Sequence, residues 1–161
     1  MTNEIKFGGL RNFDIKPFQT VLVDELIPYV DANFRTLSDQ PHRAMAGLSM
    51  GGMETKTITT ANLDKFAYIG LFSGGTFSMD DVNKTPGFRE KVKLVFVSFG
   101  SRELENRGGR PSMFGGDPKA NADTLKLAGI NSAFYVSPNT AHEFLSWRRS
   151  LYEFAPLLFK N

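Results

Sequence analysis

The sequence predicts an α/β fold of three layers, in which a short and mainly parallel sheet of about four strands lies between helices. Strand-like and helix-like segments alternate along the chain. The strand-like segments are apolar throughout, which is typical of parallel strands covered on both faces. The 161 residues match the usual size of one domain, about 150 residues. We therefore expect residues 1–161 to form a single domain.

The first part of the chain contains two predicted helices with one predicted strand between them. Residues 1–17 hold Gly, Asn and Pro at short intervals and are expected to be irregular. Apolar residues at helical spacing predict a helix over 18–34, kinked at Pro28 because proline lacks a backbone donor. Residues 43–48 predict a buried strand, and a helix is expected over 53–60.

The same alternation continues to the end of the chain. Strands are predicted over 66–72, 93–99 and 132–136, helices over 120–127 (ended by Gly129) and 143–159, and loops over 76–90, with one helical turn at most, and 105–119. Asp80 and Asp81 are interpreted as a helix N-cap or a pair of loop carboxylates.

Composition and charge exclude several classes of function. Apolar residues make up 41% and charged residues 22%, and 19 basic against 17 acidic residues leave a net charge of +2. This charge is too small to indicate nucleic-acid or membrane-surface binding. The chain has no cysteine and two histidines, which disfavours disulfides and metal sites, so we expect no metal or cofactor. No apolar run approaches the roughly 20 residues of a membrane helix, and no secretory signal is recognisable.

A short motif at the end of the first predicted strand points to nucleophilic catalysis. Residues 47–51 read Gly-Leu-Ser-Met-Gly and match the G-x-S-x-G nucleophile elbow. A sharp strand-to-helix turn at Ser49 would raise its hydroxyl above the sheet, where the helix N-terminus favours developing negative charge. The alternative is an ordinary glycine-rich turn between a strand and a helix.

A nucleophilic serine needs a base, and only two histidines are available. His142 follows the last predicted strand, at the edge of the sheet where Ser49 also emerges and where α/β proteins gather catalytic groups. His42 precedes its strand and is expected at the opposite edge as a surface or capping residue. The order serine, acid, histidine is that of an α/β-hydrolase.

The acid of such a triad is expected between the serine and the histidine. Of the nine carboxylates in that interval, Glu103 and Glu105 directly follow a strand at the catalytic edge. We choose Glu103, whose carboxylate would orient the imidazole and stabilise its protonated form. The alternative is a solvated loop charge, or one paired with Arg102 or Arg107.

Several segments together resemble a known enzyme family. The chain resembles the esterase D-like branch of the α/β-hydrolases, and within it the carbohydrate esterase family 1 group of feruloyl and acetyl-xylan esterases. The similarity runs from about residue 13 to residue 159. The segments that carry it are residues 24–31 (DELIPYVD), 34–36 (FRT), 43–52 (RAMAGLSMGG), 72–75 (FSGG) and 142–152 (HEFLSWRRSLY).

This resemblance implies hydrolysis of ester groups on plant cell-wall polysaccharide. Ser49 would be the nucleophile, His142 the base and Glu103 the acid, with an acyl-enzyme intermediate and the Met50 N–H as one oxyanion donor. The family suggests a secreted or periplasmic protein, or a cytoplasmic one if the chain is the native full-length product. Aromatic residues are expected either to bind the substrate or to fill the core; they are Phe72, Phe77, Phe114 and Trp147.

One departure from the family lies upstream of the motif. Only 48 residues precede Ser49, whereas four strands are expected before the strand that ends at the elbow, so the chain resembles the C-terminal half of the fold. The loop that supplies the second oxyanion donor is missing as well. Three hypotheses stay open: an active esterase with a replacement donor, a catalytically impaired half-domain with a binding role or none, and an acyltransferase using the same triad.

The same departure predicts how the protein assembles. Residues 43–48 would become an edge or near-edge strand, and no charge or proline within Ala44–Leu48 protects that edge from pairing. The alternative is that residues 1–17 fold back over the edge, but residues 6–10 (KFGGL) are too short and too interrupted by glycine to cover it well. We therefore expect a homodimer.

Overall fold

The computed structural model describes residues 14–105 and 116–160. The chain divides into two compact units, Met1–Leu37 and Ser38–Asn161. The single domain expected over 1–161 stays a prediction.

The described part of the first unit is helical but not uniform. It consists of α1 (Lys16–Thr20), a π-helical turn (Val21–Leu26) and α2 (Ile27–Asn33). The Ile27 N–H donates to the Leu22 carbonyl, five residues back. The widened turn ends just before Pro28, where the missing N–H prevents the regular α-helical bond. The predicted irregularity is therefore a π turn on the N-terminal side of the proline.

The second unit contains a four-stranded parallel sheet, which confirms the predicted fold class. Its strands are β1 (Ala44–Leu48), β2 (Tyr68–Phe72), β3 (Leu94–Gly100) and β4 (Ser132–Ser137), paired in the order β1-β2-β3-β4. In this register Leu48 lies opposite Phe72, and Phe72 lies opposite Ser98. The carboxyl ends of the strands thus meet at one edge.

Exposure separates the central strands from the outer ones. Every residue of β2 and β3 is buried. The strand predicted as buried over 43–48 is instead partly exposed, with Leu48 at 45%. The reason is its position, because β1 is an edge strand of the described sheet.

Helices connect and cover the strands. Within the described part of this unit they are α3 (Met50–Ala61), α4 (Met79–Asn83), α5 (Phe88–Lys91), α6 (Ser101–Glu105), α7 (Pro118–Leu127) and α8 (Phe144–Phe154), followed by a 3₁₀ turn (Ala155–Leu157). The loop expected over 76–90 therefore contains two short helices rather than one turn at most. The predicted loop over 105–119 lies largely outside the described residues.

Two apolar clusters, one on each face of the sheet, produce the three layers. One cluster joins Ile69 and Val95 to Leu125 of α7. The other joins Tyr68 and Phe96 to Phe154 of α8. Neighbouring residues of each central strand belong to opposite clusters, as the period of two in a β-strand requires.

The helix ends follow local capping rules, with one correction to the sequence analysis. Ser78, rather than Asp80 or Asp81, is the N-cap of α4, and Asp81 completes a capping box from the third helical position. As predicted, Gly129 follows the helix ending at Leu127 and has φ +80°. Across residues 14–105 and 116–160, no helix has the length and apolar character needed to cross a membrane.

Candidate active site

Ser49 occupies a strained turn between β1 and α3. Its φ of +53° and ψ of −121° lie in a region that non-glycine residues rarely adopt. The Ser49 N–H donates to the Phe72 carbonyl (2.8 Å), which fixes the turn to the end of β2. This is the geometry that the motif predicts for a nucleophile elbow.

The two glycines of that motif have different structural importance. A Cβ atom on Gly47 would overlap the Gly51 carbonyl and lie 2.7 Å from Thr55 Oγ1. A Cβ atom on Gly51 would meet no atom within 4 Å. The close approach of α3 to β1 therefore requires a glycine at position 47 and not at position 51.

His142 lies in a short loop after β4 that is tied to the end of β3. The Asn139 N–H donates to Ser101 Oγ (3.0 Å), and the Arg102 N–H donates to the Thr140 carbonyl (3.0 Å). Thr140 Oγ1 donates back to the Ser137 carbonyl (3.0 Å). These bonds anchor the loop at the carboxyl edge of the sheet, next to Ser49.

A continuous hydrogen-bond chain joins the three residues predicted as a triad. His142 Nδ1 lies 2.7 Å from Glu103 Oε1, and His142 Nε2 lies 2.8 Å from Ser49 Oγ. A carboxylate only accepts, so Nδ1 carries a proton; Nε2 of the neutral ring then accepts from the Ser49 hydroxyl. Glu105 is an exposed residue at the end of α6 and is not part of this chain.

Glu103 is held on both of its oxygens. Oε2 accepts from Ser73 Oγ (2.7 Å) and from the Gly100 N–H (2.7 Å), while Oε1 faces His142. The Glu103 side chain is 12% exposed and that of His142 is 45% exposed. The Glu103 carboxylate is therefore fixed and shielded where it contacts the imidazole, and it is not the solvated loop charge considered as the alternative. Arg107, one alternative partner, lies outside the described residues.

His42 lies at the opposite end of the sheet, as expected for a surface residue. It ends the 3₁₀ turn Gln40–His42 just before β1, and its Nδ1 lies 2.6 Å from Asp39 Oδ1. This hydrogen bond lowers the pKa of Asp39 below its usual range, even though partial desolvation opposes the shift.

The aromatic candidates occupy different environments. Phe77 has no exposed surface and Phe72 is buried against Phe154, so both fill the core in this structure instead of lining an open surface. Trp147 of α8 packs edge-to-face against the His142 ring, with 5.1 Å between centroids. Phe114 lies outside the described residues.

Met50 begins α3 and thereby presents its N–H beside Ser49. The first N–H groups of a helix have no acceptor within the helix. The position is the one expected of an oxyanion donor, and that role of the Met50 N–H stays a prediction.

The family assignment follows from comparison with known proteins. Residues 11–153 match the Esterase family model, described as "Putative esterase". The chain belongs to this esterase family. It is 46% identical over 160 residues to an endo-1,4-beta-xylanase/feruloyl esterase of Xylanibacter ruminicola, covering 99% of this chain and 20% of that protein. An esterase of Mycobacterium tuberculosis is 35% identical over 68 residues, which are 42% of this chain and 14% of the other.

Solved structures of this esterase fold agree with the architecture. A CE1 ferulic acid esterase of the anaerobic fungus Anaeromyces mucronatus superposes with a TM-score of 0.68 at 17% identity, covering 96% of this chain and 59% of that one. An S-formylglutathione hydrolase of Staphylococcus aureus gives 0.54 at 15% identity, covering 91% and 66%. The chain thus spans a fifth of the bacterial xylanase/esterase and about three fifths of the fungal structure.

Two residues of this site escaped the sequence analysis. Ser73 and Gly74 follow β2, and Ser73 bonds to Glu103 across 30 residues of sequence. The segment Phe72–Gly75 carries part of the family resemblance, yet its pattern alone assigns it no role. The available signal was a serine placed directly after each of two predicted strands, with a pair of glycines close behind it, Gly51-Gly52 after Ser49 and Gly74-Gly75 after Ser73.

Proposed function

We propose that this esterase-family chain is a serine carboxylic-ester hydrolase in which Ser49, His142 and Glu103 form the catalytic triad. The hydrogen-bond chain from Glu103 through His142 to Ser49 carries the proposal. Support also comes from the strained backbone at Ser49, because strain of this kind concentrates at functional positions.

The proposed reaction has two half-reactions. Ser49 Oγ attacks the ester carbonyl as its proton passes to His142 Nε2, and the Met50 N–H donates to the oxyanion. His142 returns the proton to the leaving alcohol, which leaves Ser49 acylated. Water then attacks the acyl carbon as one of its protons passes to His142. The bond from the acyl carbon to Ser49 Oγ breaks, His142 returns that proton to Ser49 Oγ, and the acid leaves. Glu103 orients and stabilises the imidazolium without exchanging protons.

For the substrate we propose feruloyl or acetyl esters of plant cell-wall polysaccharide. The support is the description of the Xylanibacter relative as a xylanase and feruloyl esterase. Because such polymers are too large to enter a cell, the protein would act after secretion or in the periplasm. Comparing kcat/KM for methyl ferulate and p-nitrophenyl acetate tests the acyl preference. Fractionation of the source cells tests the compartment.

The triad is tested with the variant Ser49→Ala and p-nitrophenyl acetate. Removing one hydroxyl should leave the unfolding temperature unchanged and abolish turnover above the uncatalysed background. A Ser49→Ala protein that keeps wild-type turnover would show the triad to be wrong. An inactive wild type would favour the impaired half-domain, and acyl transfer to an added sugar would favour the acyltransferase.

We also propose that two copies pair as a homodimer. The support is the edge position of β1 together with the exposure of Leu48, and of Leu151 and Tyr152 on α8. Sedimentation velocity near 10 µM, roughly where an obligate interface holds, should give a dimer. A 17.9 kDa monomer that still hydrolyses esters would contradict this proposal.

A further inference from the structure

The turn after β2 repeats the positive φ of the turn after β1. Ser73 has φ +51°, close to the +53° of Ser49, and each serine directly follows the last residue of its strand. A non-glycine residue in this region costs on the order of 1 kcal/mol or more. Ser73 is also buried, at 1% exposure. We therefore looked for an interaction of the Ser73 side chain that would favour serine over glycine at this position.

The Ser73 hydroxyl meets the carboxylate that faces His142. Ser73 Oγ lies 2.7 Å from Glu103 Oε2 and must donate, because the carboxylate only accepts. The Gly100 N–H donates to the same oxygen at 2.7 Å. One carboxylate oxygen is thus fixed by two donors, and the other is left for the imidazole.

The same turn also touches the other end of the hydrogen-bond chain. The Phe72 carbonyl accepts from the Ser49 N–H. A Cβ atom on Gly74 would overlap the Ser49 carbonyl, so the two turns lie in direct backbone contact. The Ser73 N–H donates to the Ser98 carbonyl of β3 (2.7 Å). The turn after β2 therefore lies between Ser49 and Glu103 and is bonded toward both.

We propose that Ser73 is a positioning residue that holds the Glu103 carboxylate in line with His142, an inference that rests on the proposed esterase function. The terminal torsion of a glutamate is soft. Without the Ser73 hydroxyl, the Gly100 N–H is the one described donor that remains on Glu103 Oε2. The carboxylate is then freer to rotate away from His142 Nδ1. Loss of one charge-assisted hydrogen bond should lower kcat about 10- to 100-fold.

Three single variants separate the hydroxyl from the backbone. Ser73→Ala removes the hydroxyl, and Ser73→Gly removes it while favouring the observed φ. Ser98→Ala is the matched control, because Ser98 is fully buried on the adjacent strand and its hydroxyl has no partner among the described residues. On p-nitrophenyl acetate, both Ser73 variants should lose kcat at unchanged KM, and the control should keep both constants. A Ser73→Gly variant with wild-type kcat would overturn the proposal.

A double-mutant cycle tests whether Ser73 acts through Glu103. In the Glu103→Gln background, Ser73→Gly should cost less than 3-fold in kcat, because the carboxylate it positions is already gone. An equal loss in both backgrounds would assign the effect to general packing and overturn the proposal.

The positioning role of Ser73 can also be tested by a measurement that does not depend on turnover, so that its failure is distinguishable from failure of the proposed esterase function. If the wild type neither hydrolyses esters nor reacts with a fluorophosphonate, the proposed function fails. Proton NMR then observes the His142 Nδ1–H directly, with His42→Ala and His142→Ala assigning the two imidazole signals. The His142 signal should shift or broaden in Ser73→Gly and stay unchanged in Ser98→Ala. An unchanged signal in Ser73→Gly would overturn the positioning role.

Discussion

Both histidines of the chain place Nδ1 within hydrogen-bond distance of a carboxylate, 2.6 Å from Asp39 for His42 and 2.7 Å from Glu103 for His142. Their exposures are also similar, 40% for His42 and 45% for His142. What differs is the surroundings of each acid. Asp39 is 58% exposed, whereas Glu103 is 12% exposed and held by two further donors.

The second ring nitrogen separates the two histidines further. His142 Nε2 lies 2.8 Å from Ser49 Oγ, while the His42 ring lies near Phe159, with 6.4 Å between ring centroids. Both histidines contact a carboxylate, so this contact alone does not single out His142 as the proposed base. The informative features are a shielded acid and a hydroxyl on the opposite nitrogen, and both arise from the carboxyl edge of the sheet.

The largest expected effect comes from removing each imidazole in turn. His142→Ala should lower kcat for p-nitrophenyl acetate on the order of 10⁵–10⁶-fold, because no group remains to take the Ser49 proton. His42→Ala, its matched control, should keep wild-type kcat and KM. Equal losses in both variants would remove the distinction between the histidines.

Neutralising each acid should have the next largest effect. Glu103→Gln keeps the shape but loses the charge that fixes the tautomer, so kcat should fall on the order of 10³–10⁴-fold, less than for His142→Ala. Asp39→Asn should leave turnover unchanged. If Glu105→Gln were damaging and Glu103→Gln harmless, the acid would be two residues further along the chain.

A third prediction concerns the elbow that provides the second partner of His142. Gly47→Ala forces a Cβ atom against the Gly51 carbonyl and should lower the free energy of unfolding by about 3 kcal/mol or more, with loss of activity. Gly51→Ala meets open space on a helix and should leave stability unchanged or raise it by up to about 1 kcal/mol. Urea unfolding of both variants decides this. Equal destabilisation would mean that both glycines of the motif are required for folding.

The sequence was informative where local pattern coincides with chemistry. Continuous apolar runs predicted β2 and β3, and the G-x-S-x-G motif predicted the turn at Ser49. Alternation of strands and helices assigned Glu103 and His142 to one edge, and the structure brings them together there.

Features that depend on sheet order and register were not predictable in the same way. The edge position of β1 was inferred from the short segment ahead of Ser49, whereas the strand's own apolar residues predicted burial and so missed its partial exposure. The contact of Ser73 with Glu103 requires the parallel register of β2 and β3, since 30 residues separate the two in sequence. Core or surface placement of Phe72 and Phe77 likewise depends on which helices cover each face.

The smallest expected effect concerns the pH dependence of the His42–Asp39 pair, which lies outside the proposed triad. The hydrogen bond from His42 lowers the pKa of Asp39, so the ionised carboxylate is favoured in the folded state. Its stabilising contribution is therefore present at neutral pH and is lost as the pH falls through that lowered pKa. The unfolding temperature of Asp39→Asn should lie slightly below that of the wild type at pH 7. The difference should shrink as the pH is lowered below the ordinary aspartate pKa of about 3.9. Added salt should also reduce this difference in unfolding temperature, because the pair is exposed to solvent.

Ester hydrolysis by Asp39→Asn should stay at the wild-type level throughout the pH range in which the protein is folded. A difference that grows in acid would contradict the sign argued here, and a pH-dependent loss of turnover would give the Asp39–His42 pair a functional role.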